Sequence, residues 1–361
     1  MTHDSTTTFT VHHLRFEVEA LTPLLLPAYA GPSIRGALFS ALRRHFCPAG
    51  ADDTPSPEHK AVCPVCWLMA TEIPGRHRGR DVPRPYTVEP PLSANGTDQR
   101  PWRIELGERF TFGLTLFAQA LNLFPYLVVA MPLMGQDGLG IRLSENAGNT
   151  PASSRGRRGR RGRFALRRIE AVNPFTGEVG PVLGEGQTMV QMPRVPATAQ
   201  DVATIGQAML EQMREDGWVQ IRFSTPTRIV EAGRLVHRPW LGPLFRRLLE
   251  RLDALRSQYA GEPPVSDRER LVALADRVRL VEDRTRWLEV KSSSRRLGRT
   301  TPISGYTGTA TYQADVDTWR ALLPHLLWGQ AVHVGKNATK GGGWYEVRIA
   351  NGEWRMADGG W

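Results

Sequence analysis

Cysteine is scarce. Three occur in 361 residues, and so small and odd a number argues against a disulfide framework. Long apolar runs are lacking as well. The best stretch, 121–134, is shorter than the roughly 18 residues a spanning helix needs, and Pro125 and Pro132 interrupt it. The start, Met1-Thr-His-Asp-Ser-Thr-Thr-Thr8, has neither the basic nor the apolar part of a signal peptide. These absences lead us to expect a soluble, cytoplasmic chain with no membrane partner. Acidic residues are in deficit, 36 against 46 lysines and arginines, for a net charge of +10. That balance favours a polyanionic partner, nucleic acid or an anionic membrane surface. A basic amphipathic helix strong enough for the membrane reading is missing. With 41% hydrophobic residues the chain can bury a sizeable core, and its length suggests about two domains.

What is present alternates irregularly between strand and helix patterns. Residues 9–20 have period two, with His12, Leu14, Phe16, Val18 and Ala20 on one face, as in a half-buried strand. Residues 33–46 read as a helix with Ser33 as N-cap and Ile34, Leu38, Ala41 and Leu42 as its apolar stripe. Residues 47–101 read as mostly irregular. Residues 109–119 read as a strand and 122–134 as a proline-kinked helix. A strand at 164–172 and a helix at 201–216 follow. In the second half we expect a strand at 218–223, helices at 241–258 and from a capping box at 266–269, and strands at 285–292 and 305–314. A helix capped by Asp315 comes next, then a strand from Gln330 to Val334. This is an α+β pattern of two tandem ferredoxin-like (β-α-β-β-α-β) domains, 1–216 and 217–361, with a doubly wound α/β fold as the competitor.

Three local features carry chemistry. Gly335-Lys336-Asn-Ala-Thr-Lys340-Gly341-Gly342-Gly343-Trp344-Tyr345 is a glycine-rich loop with two lysines. Glycines let backbone N–H groups approach a ligand, and lysines add point charges suited to phosphate. Trp344 and Tyr345 are candidate stacking surfaces for bases. It is not a nucleotide P-loop: Gly329 lies one residue too far back, and Asn337 follows the lysine. The bland alternative is a hairpin with solvated lysines. Second, Arg155, Arg157, Arg158, Arg160, Arg161 and Arg163 alternate with glycines, a run suited to salt-dependent backbone contact with RNA or, on the bland reading, a solvated loop. Third, Cys63-Pro-Val-Cys66 is a good zinc half-site and Cys47 offers a third thiolate. A fourth ligand would come from His45, His59 or His77. The alternative is three reduced cysteines in a loop. Any zinc held there would be structural.

The chain resembles the RAMP-superfamily endoribonucleases that process CRISPR precursor RNA. Three places carry the resemblance. The first is Pro32-Ser-Ile-Arg35-Gly36 through Arg43-Arg44-His45-Phe-Cys47. The second is Phe223-Ser-Thr-Pro-Thr-Arg228 with Leu244 to Leu252. The third is Ser304-Gly305-Tyr-Thr-Gly308 with His333 to Gly343. The resemblance implies two ferredoxin-like domains of the RAMP/RRM-like kind. It also implies a basic cleft for the CRISPR repeat RNA (crRNA precursor) and metal-independent cleavage. In that chemistry the 2′-OH attacks its own phosphate, leaving a 2′,3′-cyclic phosphate and a 5′-OH. It needs a base, an acid and cations around the phosphorane. His45 is the implied catalytic histidine, although at 100° per residue it falls within the apolar stripe and reads equally as a packed residue. Tyr29 is a candidate to orient the scissile phosphate, or simply packs. His333, read as facing away from Val332 and Val334 on a strand, is a second proton-transfer candidate beside Lys336 and Lys340. Arg35, Arg43, Arg44, Lys336, Lys340 and Gly341 to Gly343 are the expected RNA contacts, with the arginine run. No cofactor is expected for catalysis. Other CRISPR effector subunits are expected partners. The alternative function is a non-catalytic crRNA-binding subunit of an effector complex.

Overall fold

The computed structural model describes residues 8–50, 55–70, 83–92, 100–143, 159–213, 217–294 and 299–350. In the first half the chain runs β1 (Val11–Ala20), α1 (Gly31–Phe46), α2 (Pro57–Val62), α3 (Pro64–Ala70), β2 (Tyr86–Glu89), β3 (Arg109–Phe117), α4 (Phe124–Asp137), β4 (Phe164–Val172) and β5 (Val179–Leu183). The strands order as β2-β3-β1-β4-β5. Then come α5 (Ala199–Gln212), β6 (Trp218–Thr227), α6 (Leu241–Tyr259), α7 (Arg268–Arg277), β7 (Arg279–Leu288), β8 (Gly305–Gln313), α8 (Val316–Val332) and β9 (Tyr345–Ile349), with sheet order β7-β8-β6-β9. In each half the first strand lies between the third and the fourth, and two helices cover one face. Both halves are therefore ferredoxin-like, as the patterning predicts.

The two cores are distinct but interlocked. Leu14, Phe16 and Val18 of β1 pack with α1 and α4 in one core. Leu244, Leu248, Leu326 and Leu327 pack against Val219, Ile221 and Val347 in the other. Each fully buried leucine contributes about 1.5–3 kcal/mol by leaving water. Phe9, Val11, Phe117 and the α5 residues Val202 and Met209 belong to this second core although they precede residue 217. By packing, then, α5 goes with the second half. Its cap is a capping box of Thr198 and Asp201, so the helix starts before the expected position 201.

Several local expectations are corrected. Ser33 lies inside α1, which begins at Gly31 with Ala30 at the N-cap and no side-chain cap hydrogen bond. Residues 57–70 form two short proline-initiated helices rather than irregular chain. The expected capping box at 266–269 makes no side-chain cap bond at Asp267. Gln330 to Val332 is the last turn of α8, not a strand. Ala118–Asp137 is one continuous helical segment of 20 residues, with mean hydropathy 1.3, long and apolar enough to cross a membrane. The sequence reading had judged that stretch too short. Its Leu127, Ala130, Met131 and Met134 are buried in the first core. Asp315 caps α8 as expected, accepting from Thr318 N at 2.7 Å.

Candidate functional site

The glycine-rich loop does not offer its backbone to a ligand. Gly341 N donates to Ala338 O, Gly342 N to Asn337 O, Gly343 N to Pro226 O and Trp344 N to Thr225 Oγ1. Gly341, Gly342 and Gly343 are buried, so the structure removes them from the expected RNA contacts. Their smallness serves packing between the halves. Gly341 has φ +84°, and a Cβ there would lie 2.6 Å from Pro90 Cδ, just after β2. Trp344 and Tyr345 are 6% and 0% exposed, which takes both from the role of base platforms. Trp344 stacks on His333 at 5.9 Å and 6°. The Tyr345 hydroxyl donates to Leu326 O.

What the loop does present is charge. Lys340 lies beside Arg35 of α1, and its ammonium is held below the ordinary lysine range, first by burial and then by Arg35. Neither cation forms an ion pair among the described residues. Lys340 Nζ donates to Ser292 Oγ at 3.3 Å. The Arg35 guanidinium sits 5.4 Å over the Phe39 ring. Two like charges held together without a counter-ion form a subsite that an anion would relieve. Tyr29 closes this end. Its hydroxyl donates to Lys340 O at 2.7 Å, and burial pushes its phenol up. Lys336 is exposed on the same loop.

Beneath that surface is a sealed polar seam. His13 Nδ1 lies 2.7 Å from Glu89 Oε1, with the two side chains 2% and 1% exposed. The Thr115 hydroxyl donates to the same carboxylate oxygen. Burial alone would raise Glu89, but His13 and the hydrogen bonds outweigh it and hold the carboxyl below its usual range. His333 is the C-cap of α8 at φ +63°, ψ 168°, a costly conformation for a residue with a Cβ. It is fully buried, and neither ring nitrogen has a well-aligned hydrogen-bond partner among the described residues. Burial lowers it to about 3. The expected exposed strand position for His333 is therefore overturned. A sealed imidazole that stays neutral cannot exchange protons with a bound RNA. Arg251 of α6 turns its tip inward. Its Nε donates to Val332 O at 2.8 Å, ending α8, and its guanidinium lies over Phe117. Burial brings it to about 10.

The other end of α1 carries a different cluster. His45 is exposed although helical spacing puts it in line with Ile34, Leu38 and Ala41, so its packed alternative does not hold. Arg44 is exposed and paired with Asp137 at 2.6 Å. Arg43, an expected RNA contact, is instead 3% exposed, and its Nη1 donates to Cys66 Sγ at 3.4 Å. Cys47, Cys63, Cys66 and His59 converge, with all four ligand atoms within 4.8 Å of one another. His77 and Arg155, Arg157 and Arg158 lie outside the described residues. Arg160, Arg161 and Arg163 flank β4, with Arg160 and Arg163 exposed and Arg161 half-buried.

The three catalytic candidates are thus not brought together. Tyr29 precedes α1 and His45 nearly ends it, so about 22 Å of helix separates them at 1.5 Å per residue. His333 is sealed in the seam. The sequence reading missed His13, Glu89 and Thr115. The only signal was a histidine on the polar face of an alternating strand.

Residues 221–345 match the family model described as CRISPR-associated endoribonuclease Cas6. Residues 9–195 match a second family model, described as an N-terminal domain. No curated protein matches the chain significantly. Among solved structures, a Cas6 product complex is 18% identical with TM-score 0.51, covering 94% of this chain and 99% of that one. Thermus thermophilus Cas6 is 16% identical with TM-score 0.50, over 94% and 99%. A partial Cas6-RT-Cas1–Cas2 complex is 13% identical with TM-score 0.57; it covers 96% of this chain, which spans 47% of that one. At such identities the likeness to solved structures is a likeness of fold.

Proposed function

We propose that this chain, whose residues 221–345 match the CRISPR-associated Cas6 endoribonuclease family, cuts CRISPR precursor RNA within its repeats without a metal ion. The 2′-OH attacks the adjacent phosphorus and loses its proton to a base. The bond from phosphorus to the 5′-oxygen breaks, and an acid protonates that leaving oxygen. The products are a 2′,3′-cyclic phosphate and a 5′-OH. An imidazole suits both proton roles near neutral pH, and His45 is the exposed histidine on α1. In the cytoplasm its partners in this reading are CRISPR repeat RNA and other CRISPR proteins.

The observation that carries the reading is the pair Arg35 and Lys340, two neighbouring cations with no acid between them. Arg35 stands near the start of α1 and the exposed Arg44 and His45 near its end. In this reading RNA is held at the seam by phosphate and runs the length of α1 to reach His45 at the far end. Tyr29 then orders the seam end of the strand rather than the scissile phosphate.

Labelled repeat RNA incubated with the protein in EDTA tests this. Specific cutting that disappears with a 2′-deoxy at the cut site, and in His45→Ala with RNA binding intact, is expected. Cutting that persists in His45→Ala overturns the assignment of His45. Cutting of the 2′-deoxy RNA overturns the reaction.

A further inference from the structure

We propose that Cys47, His59, Cys63 and Cys66 bind one zinc ion that fastens the C-terminal end of α1. The three distances from Cys47 are close to those of a tetrahedral site, and all four ligand atoms lie within 4.8 Å of one another. With Zn–S near 2.3 Å, two thiolates at a tetrahedral angle stand about 3.8 Å apart. Cys47 Sγ is 3.8 Å from Cys66 Sγ and 3.9 Å from Cys63 Sγ. A thiolate and an imidazole nitrogen should stand slightly closer, since Zn–N is shorter. Cys47 Sγ to His59 Nε2 is 3.2 Å. The cysteines are free rather than disulfide-bonded.

A second observation is independent of the spacing. Three thiolates and a neutral histidine around a divalent ion leave a net charge of −1. Arg43, 3% exposed, directs its guanidinium at Cys66 Sγ. A buried guanidinium aimed at sulfur is favourable against a metal thiolate. It is also the kind of outer hydrogen bond that holds a metal's ligands in place. Of the histidines open to the sequence reading, the structure selects His59. His45, two residues before Cys47, stays outside the cluster.

The site's role is mechanical. Cys47 is the C-cap of α1, while the other three ligands sit on α2, between the two short helices and on α3. Helices of six and seven residues are marginal alone. A metal crosslink lets them persist. From α3, Trp67 packs edge-on against Tyr259 of α6 at 5.6 Å, so the crosslink also carries across to the second half. No electron or proton of the cleavage passes through it.

The test is metal content, measured by mass spectrometry on protein purified without a histidine tag. About one zinc per chain is expected, and markedly less in Cys63→Ser and His59→Ala. Stripped wild-type protein titrated with cobalt(II) alone should develop the sulfur-to-metal charge-transfer bands and intense visible bands of a tetrahedral thiolate site. Its melting temperature should rise on adding zinc. Wild-type protein that lacks zinc and gives no such cobalt spectrum overturns the proposal, even if both variants fail to fold. Neither readout depends on RNA cleavage, so failure here leaves the reading of His45 standing, and failure there leaves this one.

Discussion

At its N-terminal end α1 has no side-chain cap and rests on the backbone of the other half: Gly31 lies against Lys340, and Tyr29 donates to the Lys340 carbonyl. At its C-terminal end the same helix is gripped by side chains of its own half, with Arg43 and Cys47 meeting His59, Cys63 and Cys66. The first end is where two chain segments 311 residues apart meet, and its cations have no acid partner among the described residues. The second end packs through Arg43 and the thiol cluster and leaves Arg44 and His45 exposed. In the proposed reading one helix joins a binding surface to a chemical one, and each end can be disturbed without the other.

The largest effect should come from the seam. A Cβ on Gly31 would overlap the Lys340 carbonyl oxygen, a backbone atom that cannot swing away. Gly31→Val should destabilise the fold by about 3 kcal/mol or more, as overpacking against fixed atoms does, read from the denaturant midpoint. Gly36→Ala, five residues along and facing open space, should be neutral or slightly stabilising.

Next is the sealed histidine. His333 is lowered to about 3 in the folded protein, against roughly 6.5 in the unfolded chain. Below about pH 6.5 the unfolded chain takes up a proton that the folded one refuses, so stability falls as pH falls, by up to roughly 1.4 kcal/mol per unit until folded His333 titrates. His333→Gly, which suits the backbone angle, should flatten the decline between pH 6.5 and 4. His12 and His325, each lowered to about 4 by burial first, leave a residual slope. An unchanged slope would place the buried neutral imidazole elsewhere.

Smaller still, Arg35→Ala and Lys340→Ala should each weaken repeat-RNA binding by about 1–2 kcal/mol and lower the salt slope by about one, read by binding titrations at several salt concentrations. Arg44→Ala breaks an exposed pair with Asp137 and should move stability by less than about 0.5 kcal/mol, as a melting curve would register. Equal RNA effects from Arg35 and Arg44 would mean that the two ends of α1 share the polyanion evenly.

The ferredoxin-like architecture was legible wherever one face of an element is wet. β1 alternates because only its even positions enter the first core, and Asp315 announces α8 because a cap is a local event. Legibility failed where the neighbour is distant in sequence. Val11 and His13 are buried on the nominally polar face because the second half covers them. Gln330 to Val334 looked extended because it is rich in valine, yet it finishes a helix whose end Arg251 satisfies. The glycines at 341–343 carry the right composition for phosphate and the wrong surroundings, since their amides bond within the chain. Cys-x-x-Cys announced its cluster, while Arg43 did not. A buried arginine in a helix rich in arginine has no mark in the sequence.

Phe9, Val11 and Phe117 complete a core whose other wall is α8, which follows Phe117 by about 200 residues and Phe9 by about 300. During synthesis the first half leaves the ribosome with those apolar side chains uncovered, and they stay so until α8 has emerged. The first domain is thus obliged to wait unfinished, and a chain stopped between the halves would offer a sticky surface in place of a stable fragment.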